Sequence, residues 1–337
     1  MKDIYNRQIN YLRISLTDRC NYRCIYCMPE TGVKSLKHTD ILTIEEIAHV
    51  VGVLSQLGIE NVRLTGGEPL VRKGCVSLVE KLNAMPNIKN IALTTNGVLL
   101  PKMAHELKRA GLARVNISLD SLDEQQFHSI TRLGHVREAL NGIDAAIEAG
   151  FEPVKVNCVA VRSLNQDYLA FARLSVDKPL HVRFIEYMPV GESTGSTGCG
   201  WGPGDVISCK QLRENINAAA AAKGLPVLEK ANENPFGCGP AQYFAFPGAA
   251  GTVGFISPMS KHFCGKCNRM RLTADGKLRP CLFSDTEFDV RGILRSSLPR
   301  TEVDAKLKET FARALSAKPE EHGNITRTER KMSQIGG

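Results

Sequence analysis

Residues 11–27 of the chain read Tyr11-Leu12-Arg13-Ile14-Ser15-Leu16-Thr17-Asp18-Arg19-Cys20-Asn21-Tyr22-Arg23-Cys24-Ile25-Tyr26-Cys27. The first five residues form a short apolar–polar run that predicts a β-strand. Three cysteines, Cys20, Cys24 and Cys27, follow in the loop after this strand. From there to residue 190 the sequence alternates strand-like and helix-like segments. This alternation predicts an α/β fold in which helices cover a parallel sheet.

Six strand–helix units can be counted in the first 190 residues. The first helix begins at a capping box, because Thr43 and Glu46 are spaced so that each side chain can accept a hydrogen bond from the other's backbone N–H. Six units are two short of a closed eight-stranded barrel, so an open six-stranded partial barrel and a doubly wound sheet both fit. The predicted strands are 11–15, 61–65, 90–94, 114–118, 154–160 and 181–185, and the predicted helices are 43–58, 76–84, 101–111, 136–149 and 167–176.

The sequence changes character after Val190. Residues 191–204 are rich in Gly, Ser and Thr, which predicts a loop. Helices are expected at 212–223 and 303–315, with short strands at 242–246 and 252–256. The tail from Glu320 onward is polar and is expected to be mobile.

Composition restricts the class of protein. Lys and Arg outnumber Asp and Glu by 43 to 35, and this net charge of +8 either attracts anions or only keeps the protein soluble. The 337 residues contain no apolar run of about 18, and the first residues lack the pattern of a secretory signal, so a cytoplasmic protein is expected. Eleven cysteines in a reducing compartment favour metal binding or redox chemistry over disulfides.

Cys20-x3-Cys24-x2-Cys27 is the strongest chemical signal in the sequence. Three thiolates within eight residues can surround one soft metal centre. An iron–sulfur cube normally takes four cysteines, so three ligands leave one iron open to an external ligand. A structural zinc site is the alternative, but closed zinc sites use four ligands, and this loop offers no obvious fourth.

A second triplet, Cys264-x2-Cys267-x13-Cys281, lies in the C-terminal part of the chain. The same reasoning predicts a second, incompletely ligated cluster. A zinc site with His262 as the fourth ligand also fits this spacing. Arg269 and Arg271 favour the cluster, because they place guanidinium groups where an anionic substrate needs them; otherwise they form a solvated basic strand face.

These motifs carry a resemblance to a known family. The first cysteine triplet, with Tyr26 before its last cysteine, resembles the signature of the radical S-adenosylmethionine superfamily, and Leu64–Leu70 is similar to that superfamily's glycine-rich turn. The second triplet and the C-terminal Gly336-Gly337 narrow the resemblance to the GTP 3′,8-cyclase family of molybdenum cofactor biosynthesis, over nearly the whole chain. The other motifs that contribute are 12–15, 94–97, 118–120, 155–157, 183–186 and 268–271.

The resemblance implies two [4Fe–4S] clusters and S-adenosylmethionine as cofactors. Cys20, Cys24 and Cys27 would hold the first cluster, whose open iron chelates S-adenosylmethionine, and one electron then cleaves the sulfonium to give a 5′-deoxyadenosyl radical. Cys264, Cys267 and Cys281 would hold the second cluster, whose open iron binds guanine. The residues implied to contact S-adenosylmethionine are Tyr26, Gly67, Ser118 and Met188.

The resemblance also implies the substrate and the reaction. GTP would be cyclised to 3′,8-cyclo-7,8-dihydroguanosine 5′-triphosphate, after abstraction of the ribose 3′ hydrogen. The residues implied to bind GTP are Arg13, Arg63, Thr94, Lys155, Arg183, Arg269 and Arg271. Those implied to act in catalysis are Arg13, Arg269, Arg271, Gly336 and Gly337, the two glycines because a flexible tail would reach into the barrel.

For the fold, the resemblance implies an open six-stranded (βα)6 partial TIM-type barrel over residues 1–230. Residues 231–337 would form a C-terminal α+β domain with the second cluster. The expected partners are a one-electron donor such as flavodoxin or ferredoxin and, downstream, cyclic pyranopterin monophosphate synthase. Neither nucleic acid nor a membrane is expected as a partner, and the protein would be a monomer or a homodimer.

Two observations bear on these expectations without the resemblance. The first cysteine loop, Gly66-Gly67, residues 94–97 and residues 118–120 all follow predicted strands, and that end of a βα barrel is where active sites form. No G-x-x-x-x-G-K-[ST] motif is present, so a switch-type GTPase site is not expected. The alternatives are a two-cluster radical enzyme for a peptide or another nucleotide, and an iron–sulfur or zinc module that binds nucleic acid.

Overall fold

The computed structural model describes residues 1–34, 36–189, 200–231, 239–323 and 330–336. Within these ranges twelve strands form one sheet. The strands are β1 (Tyr11–Ser15), β2 (Asn61–Thr65), β3 (Asn90–Thr95), β4 (Arg114–Ser118), β5 (Val154–Ala160), β6 (Leu180–Glu186), β7 (Glu229–Lys230), β8 (Gln242–Ala245), β9 (Thr252–Ile256), β10 (Arg269–Leu272), β11 (Lys277–Arg279) and β12 (Phe288–Asp289).

Helices connect the strands and pack outside the sheet. Strands β1 to β6 pair in parallel in chain order, which requires a crossover after each strand. The helices are α1 (Ile44–Ser55), α2 (Cys75–Asn83), α3 (Leu100–Arg109), α4 (Glu124–Thr131), α5 (Val136–Glu148), α6 (Tyr168–Asp177), α7 (Cys209–Ala222), α8 (Arg291–Leu294), α9 (Arg300–Ser316) and α10 (Met332–Ile335). None of these described helices is both long and apolar enough to cross a membrane.

The order of the strands decides between the two architectures that the sequence left open. The six strands lie in the order β1 to β6, as in a TIM-type barrel, and not in the reversed order of a doubly wound sheet. The α/β partial barrel is therefore confirmed. The C-terminal part extends it at both edges, because β10 pairs in parallel with β1 and β9 pairs in parallel with β6. The division after residue 230 stays a prediction.

Alternation within each strand separates a core from a polar interior. Leu12 and Ile14 of β1 are fully buried and belong to the main hydrophobic cluster, which the helices cover. Arg13 lies between them in the sequence and points to the opposite side of the strand. On the neighbouring strand Arg63 has the same place between Val62 and Leu64. The sheet thus presents apolar residues to the helices and basic residues to the inside of the barrel.

The described part of the C-terminal tail is packed, whereas the sequence predicted a mobile tail from Glu320. Residues 332–335 form helix α10, and Ile335 is 1% exposed. Arg330 donates hydrogen bonds to both carboxylate oxygens of Asp275, at 3.1 and 2.9 Å, and to Glu287 at 2.7 Å. These charge-assisted bonds hold the start of the tail segment 330–336 against the loops next to β11.

Candidate active site inside the barrel

A cavity of about 330 Å³ lies inside the barrel and extends from Tyr11 and Arg114, at the start of their strands, to Asp120 and Met188, which follow the ends of β4 and β6. All seven residues expected to bind GTP line it, and so do three of the four expected to contact S-adenosylmethionine: Arg13, Arg63, Thr94, Lys155, Arg183, Arg269, Arg271, Tyr26, Ser118 and Met188. The second cysteine triplet, Cys264, Cys267 and Cys281, lines the same cavity. Gly67, Gly336 and the cysteines of the first triplet are not among the described residues that line it.

Strand pairing brings the basic residues together. Arg13 of β1 is level with Arg63 of β2 on one side and with Arg271 of β10 on the other. Neighbouring strands lie about 4.8 Å apart, so three guanidinium groups extend into the cavity from adjacent strands. Farther along the sheet, Lys155 of β5 is level with Asn116 of β4, which is level with Thr94 of β3. The backbone register therefore fixes the spacing of these groups.

Hydrogen bonds orient one of these guanidinium groups. Arg63 donates from Nε to the Tyr11 hydroxyl at 2.7 Å and from Nη1 to the Thr94 hydroxyl at 3.1 Å. Thr94 also accepts from the Asn116 amide at 3.5 Å. Because these partners are neutral, they fix the position of Arg63 without neutralising its charge.

The cationic groups lower one another's pKa. Burial, followed by repulsion from Arg183 and Arg114, lowers the pKa of Lys155 to about 7. Burial lowers the pKa of Arg271 to about 10, with repulsion from Arg269 as the next cause. An anion in the cavity would relieve this repulsion, so the cavity is built for a ligand with several negative charges.

Buried polar atoms of Arg183 and Asn157, which line the cavity, lack a hydrogen-bond partner among the described residues. They are the Nε of Arg183 and the Oδ1 of Asn157. A buried polar atom without a partner is costly, so such atoms mark places where a bound molecule completes the bonding. Gly254 lies beside them, and a Cβ there would come within 2.8 Å of Tyr243 and 3.1 Å of the Arg183 side chain. Glycine at this position keeps room for Arg183.

The first cysteine loop rests on the glycine-rich turn after β2. Gly67 donates from its backbone N to the Thr17 carbonyl at 2.7 Å, and Glu68 donates to the Arg19 carbonyl at 2.8 Å. A Cβ on Gly67 would lie 2.3 Å from the Arg19 carbonyl oxygen. From the sequence, Gly67 was expected to contact S-adenosylmethionine. In the structure the cysteine loop packs so closely against Gly67 that it leaves no room for a side chain. A contact with S-adenosylmethionine stays a prediction.

Glu68 and Asp120 are buried carboxylates that anchor the ends of strands. Glu68 accepts from the Thr95 hydroxyl at 2.8 Å and from the Asn96 backbone N at 2.8 Å, and burial raises its pKa to about 7. Asp120 accepts from the Tyr26 hydroxyl at 2.6 Å, and burial raises its pKa as well. Tyr26 in the cysteine loop is thereby tied to the end of β4.

The thiols of the first triplet are close enough to repel one another as thiolates. Burial raises the pKa of Cys20 to about 11, and the pKa of Cys24 is raised well above its usual value by burial and by Cys27. Burial and the neighbouring Cys20 raise the pKa of Cys27 to about 12. Thiolates in such a place need a positive centre between them, which an iron–sulfur cluster provides. The residues present fit such a group.

The second triplet has cations of its own. Although burial opposes it, the nearby charges of Lys318 and Arg269 hold the pKa of Cys267 below its usual value. His262, the candidate fourth zinc ligand, has its Nδ1 within 2.8 Å of both the Pro258 carbonyl and the Nε2 of His322. In the described ranges, no group of three His, Cys, Asp or Glu side chains is arranged to hold a single metal ion.

Segment 330–336 of the tail reaches Arg271 and the end of β2. Arg271 donates to the carbonyls of Ile335 at 3.3 Å and Gly336 at 2.5 Å. Gly336 has a φ of 68°, and a Cβ there would lie 2.6 Å from the Thr65 methyl group, so glycine is required on two grounds. Gly337 lies outside the described residues.

Several site residues were missed by sequence reasoning. Trp201 stacks on Tyr26, with ring centroids 6.0 Å apart and planes at 19°, and it follows a segment without any recognisable motif. Asp120 belongs to the strand-end motif 118–120 that the sequence analysis used, but it was given no role in the site. Lys318 lines the cavity, but nothing in its sequence surroundings distinguishes it from a surface lysine.

Comparison with known families agrees with this arrangement. The Radical SAM superfamily model matches residues 14–174, and the Molybdenum Cofactor Synthesis C model matches residues 180–324. Among solved structures, that of Streptococcus suis SuiB bound to S-adenosylmethionine superposes with a TM-score of 0.58 at 14% identity. It covers 92% of this chain and 68% of that one. At this identity the likeness concerns the fold alone.

Curated relatives match along their whole length. The chain is 50% identical to the GTP 3′,8-cyclase of Moorella thermoacetica and 48% identical to that of Pelotomaculum thermopropionicum, in each case over 100% of both chains. The superfamily match implies an iron–sulfur cluster and S-adenosylmethionine as cofactors. With half of its residues identical over the full length, and with both halves matched by family models, the chain belongs to the GTP 3′,8-cyclase family of radical S-adenosylmethionine enzymes.

Proposed function

We propose that this protein cyclises GTP to 3′,8-cyclo-7,8-dihydroguanosine 5′-triphosphate, the first step of molybdenum cofactor biosynthesis. The observation that carries the proposal is the row formed by Arg63, Arg13 and Arg271, which is level across three strands in the cavity that the second cysteine triplet also lines. A nucleoside triphosphate has negatively charged phosphates that the three arginines could bind, and a base that could reach the second cysteine triplet. The cyclase names of the relatives supply the chemistry that such a pose would serve.

Two [4Fe–4S] clusters are part of the proposal. Cys20, Cys24 and Cys27 would hold the first, and Cys264, Cys267 and Cys281 the second. When bound, the first cluster and S-adenosylmethionine would supply the radical chemistry that removes a hydrogen atom from the ribose of GTP, with electrons from the external one-electron donor. This chain's residues hold, orient and shield the reactants.

The cations would fix the triphosphate. Arg13, Arg271 and Arg63 extend from adjacent strands, so their guanidinium groups can make bidentate contacts to successive phosphates. Arg183 and Lys155 would approach from β6 and β5, with Thr94 as a polar partner of Arg63. With the phosphates held here, the guanine extends toward the second triplet, beside Arg269. The ribose then lies between the two triplets, where reaction at C3′ requires it.

S-adenosylmethionine would lie between the first triplet and the ends of β2, β4 and β6. The residues proposed to contact it are Tyr26, Gly67, Ser118 and Met188. Tyr26 is held for this role by its 2.6 Å hydrogen bond to Asp120 and by stacking on Trp201. Gly336 and Gly337 would complete the wall near the reacting ribose and help to exclude water.

The wider setting is also proposed. A one-electron carrier such as flavodoxin or ferredoxin would reduce the enzyme, and cyclic pyranopterin monophosphate synthase would consume the product, in the cytoplasm. The protein would act as a monomer or a homodimer. Residues 1–230 would form the barrel domain and residues 231–337 the domain of the second cluster.

The test is an anaerobic incubation of reconstituted protein with GTP, S-adenosylmethionine and dithionite. We expect equimolar 5′-deoxyadenosine and an acid-labile cyclic product with the mass of GTP. ATP serves as the competing nucleotide, and Arg269→Ala is expected to weaken GTP binding. An enzyme that forms 5′-deoxyadenosine equally with ATP, or without any cyclic product, would act on another substrate.

A further inference from the structure

A short segment after helix α9 lies against both arms of the second cysteine triplet. Lys318 begins this segment and is 3% exposed. Its Nζ donates to the Arg269 carbonyl at 2.8 Å and to the Pro280 carbonyl at 2.7 Å. Arg269 lies two residues after Cys267, and Pro280 directly precedes Cys281. One ammonium group thus connects two ligand-bearing stretches that are separated by thirteen residues.

Arg7 holds the same segment from the other side. It donates from Nη1 to the carbonyls of Cys264 at 3.0 Å and Glu320 at 2.7 Å, and from Nη2 to the Pro319 carbonyl at 2.7 Å. Asp3 fixes this guanidinium through a 2.6 Å contact with Nε. Each of the three cysteine stretches is therefore anchored by a buried cation. Arg7 holds the stretch at Cys264 and also binds residues 319 and 320, and Lys318 holds the stretches at Cys267 and Cys281.

The charge of Lys318 has its counterpart in the thiolates. In the described ranges no carboxylate lies within ion-pair distance of Lys318, and a buried ammonium without a counter-charge is costly. The counter-charges beside Lys318 are the thiolates of Cys267, to which it also hydrogen-bonds, and Cys281; their attraction opposes the effect of burial on its pKa without cancelling it. The hydrogen bonds to the Arg269 and Pro280 carbonyls could be made by a neutral donor. Anionic thiolates at Cys267 and Cys281 are the reason for a charged side chain at this position.

We propose that Lys318 is a positioning residue of the second triplet, which sets the separation of Cys267 from Cys281 and raises the reduction potential of the cluster they hold. This inference rests on the proposed function, since it presupposes a cluster at these cysteines. The sign follows from charge: a fixed cation favours the more negative, reduced state of the cluster. Arg7 acts with Lys318 by holding the carbonyl of Cys264.

The experiment isolates the second triplet in a Cys24→Ala background, so that the only complete triplet is the one beside Lys318. Lys318→Met removes both hydrogen bonds and charge, Lys318→Gln keeps a donor but no charge, and Lys318→Arg keeps the charge. Lys306→Met, an exposed lysine on α9, is the matched control. Iron and labile sulfide are measured after anaerobic reconstitution, and the reduction equilibrium is followed by electron paramagnetic resonance.

We expect Lys318→Gln to keep its iron while reduction becomes at least tenfold less favourable, a downward shift of 59 mV for one electron. Lys318→Met should lose cluster, whereas Lys318→Arg and Lys306→Met should match the background protein. When Lys318→Met is made in the protein with all its cysteines, the variant should keep the iron of the first triplet. That result would show that the Lys318→Met protein folds. Unchanged iron in Lys318→Met, or an unchanged potential in Lys318→Gln, overturns the inference.

The outcome also separates this inference from the proposed function. A background protein that binds a cluster, together with Lys318 variants that behave like it, removes the role of Lys318 and leaves the two-cluster enzyme in place. A background protein that binds no iron overturns both, because the second triplet then holds no cluster.

Discussion

Binding of GTP is expected to draw a proton from solvent, and Lys155 is the group that takes it up. Burial and repulsion from Arg183 and Arg114 lower the pKa of Lys155 to about 7, against 10.5 for a free lysine. At pH 8 the side chain is then about nine-tenths neutral. A triphosphate beside it favours the ammonium form and moves the pKa back upward. We expect Lys155 to take up about 0.9 proton per bound GTP at pH 8 and about 0.1 at pH 6.

Uptake of a proton by Lys155 makes the affinity for GTP depend on pH. Because the complex holds the proton that free Lys155 has lost, raising the pH above the pKa of about 7 weakens binding, by nearly tenfold per pH unit beyond about pH 8. Below pH 6 the free protein is already protonated, and this dependence disappears. The terminal phosphate of GTP titrates at about pH 6, so it contributes little to the proton uptake at pH 8.

Calorimetry of GTP binding at pH 8, in buffers with different ionisation enthalpies, measures this uptake. The control is Lys155→Arg, whose guanidinium stays ionised, so we expect it to bind GTP with almost no proton uptake. The reasoning is refuted if Lys155→Arg takes up as many protons as the unsubstituted protein, since the proton then goes elsewhere.

Three further predictions concern packing around the site. Gly67→Ala forces a Cβ into the cysteine loop, so it should lower the free energy of unfolding by about 1–3 kcal/mol and lower the iron content. Denaturant titrations and iron assays measure both effects, and Gly204→Ala, where a Cβ has open space, is the control that should change neither quantity. Gly254→Ala should displace Arg183 and weaken GTP binding while iron content stays constant. Arg330→Gln breaks the bonds to Asp275, so limited proteolysis should remove the C-terminal residues faster; an unchanged cleavage rate would show that other contacts hold the tail.

Sequence reasoning succeeded where the signal is local. The predicted bounds of the first two strands match β1 and β2, because each is a short apolar run between a turn and a loop. The capping box before α1 is present as expected, with Glu46 accepting from the Thr43 backbone N at 2.7 Å. Thr94 and Ser118, which lie at or beside strand ends, line the cavity as expected, since the strand ends of a parallel barrel share one rim. Arg13 and Arg63 lie in the middle of their strands and were expected in the site only from the resemblance.

The features that were missed depend on contacts between distant parts of the chain. Strand β10 pairs with β1 across more than 250 residues, a pairing that the sequence did not predict, although a basic strand face at Arg269 and Arg271 was the alternative to substrate binding. Helix α4 has only eight residues, too few for a clear helical period. Lys318 becomes a site residue only because α9 ends beside the second triplet. Such burial is a property of the assembled fold and leaves no mark in the neighbouring sequence.

The pairing of β9 and β10 with opposite edges of the six-stranded sheet has a consequence for synthesis on the ribosome. When β6 has emerged, all six barrel strands exist, but the segments that cover β1 and β6 are still untranslated. For that interval the nascent polypeptide presents two bare edges, each able to recruit a strand from another molecule. A fragment that stops after residue 230 would keep both edges permanently, so we expect it to associate into large particles.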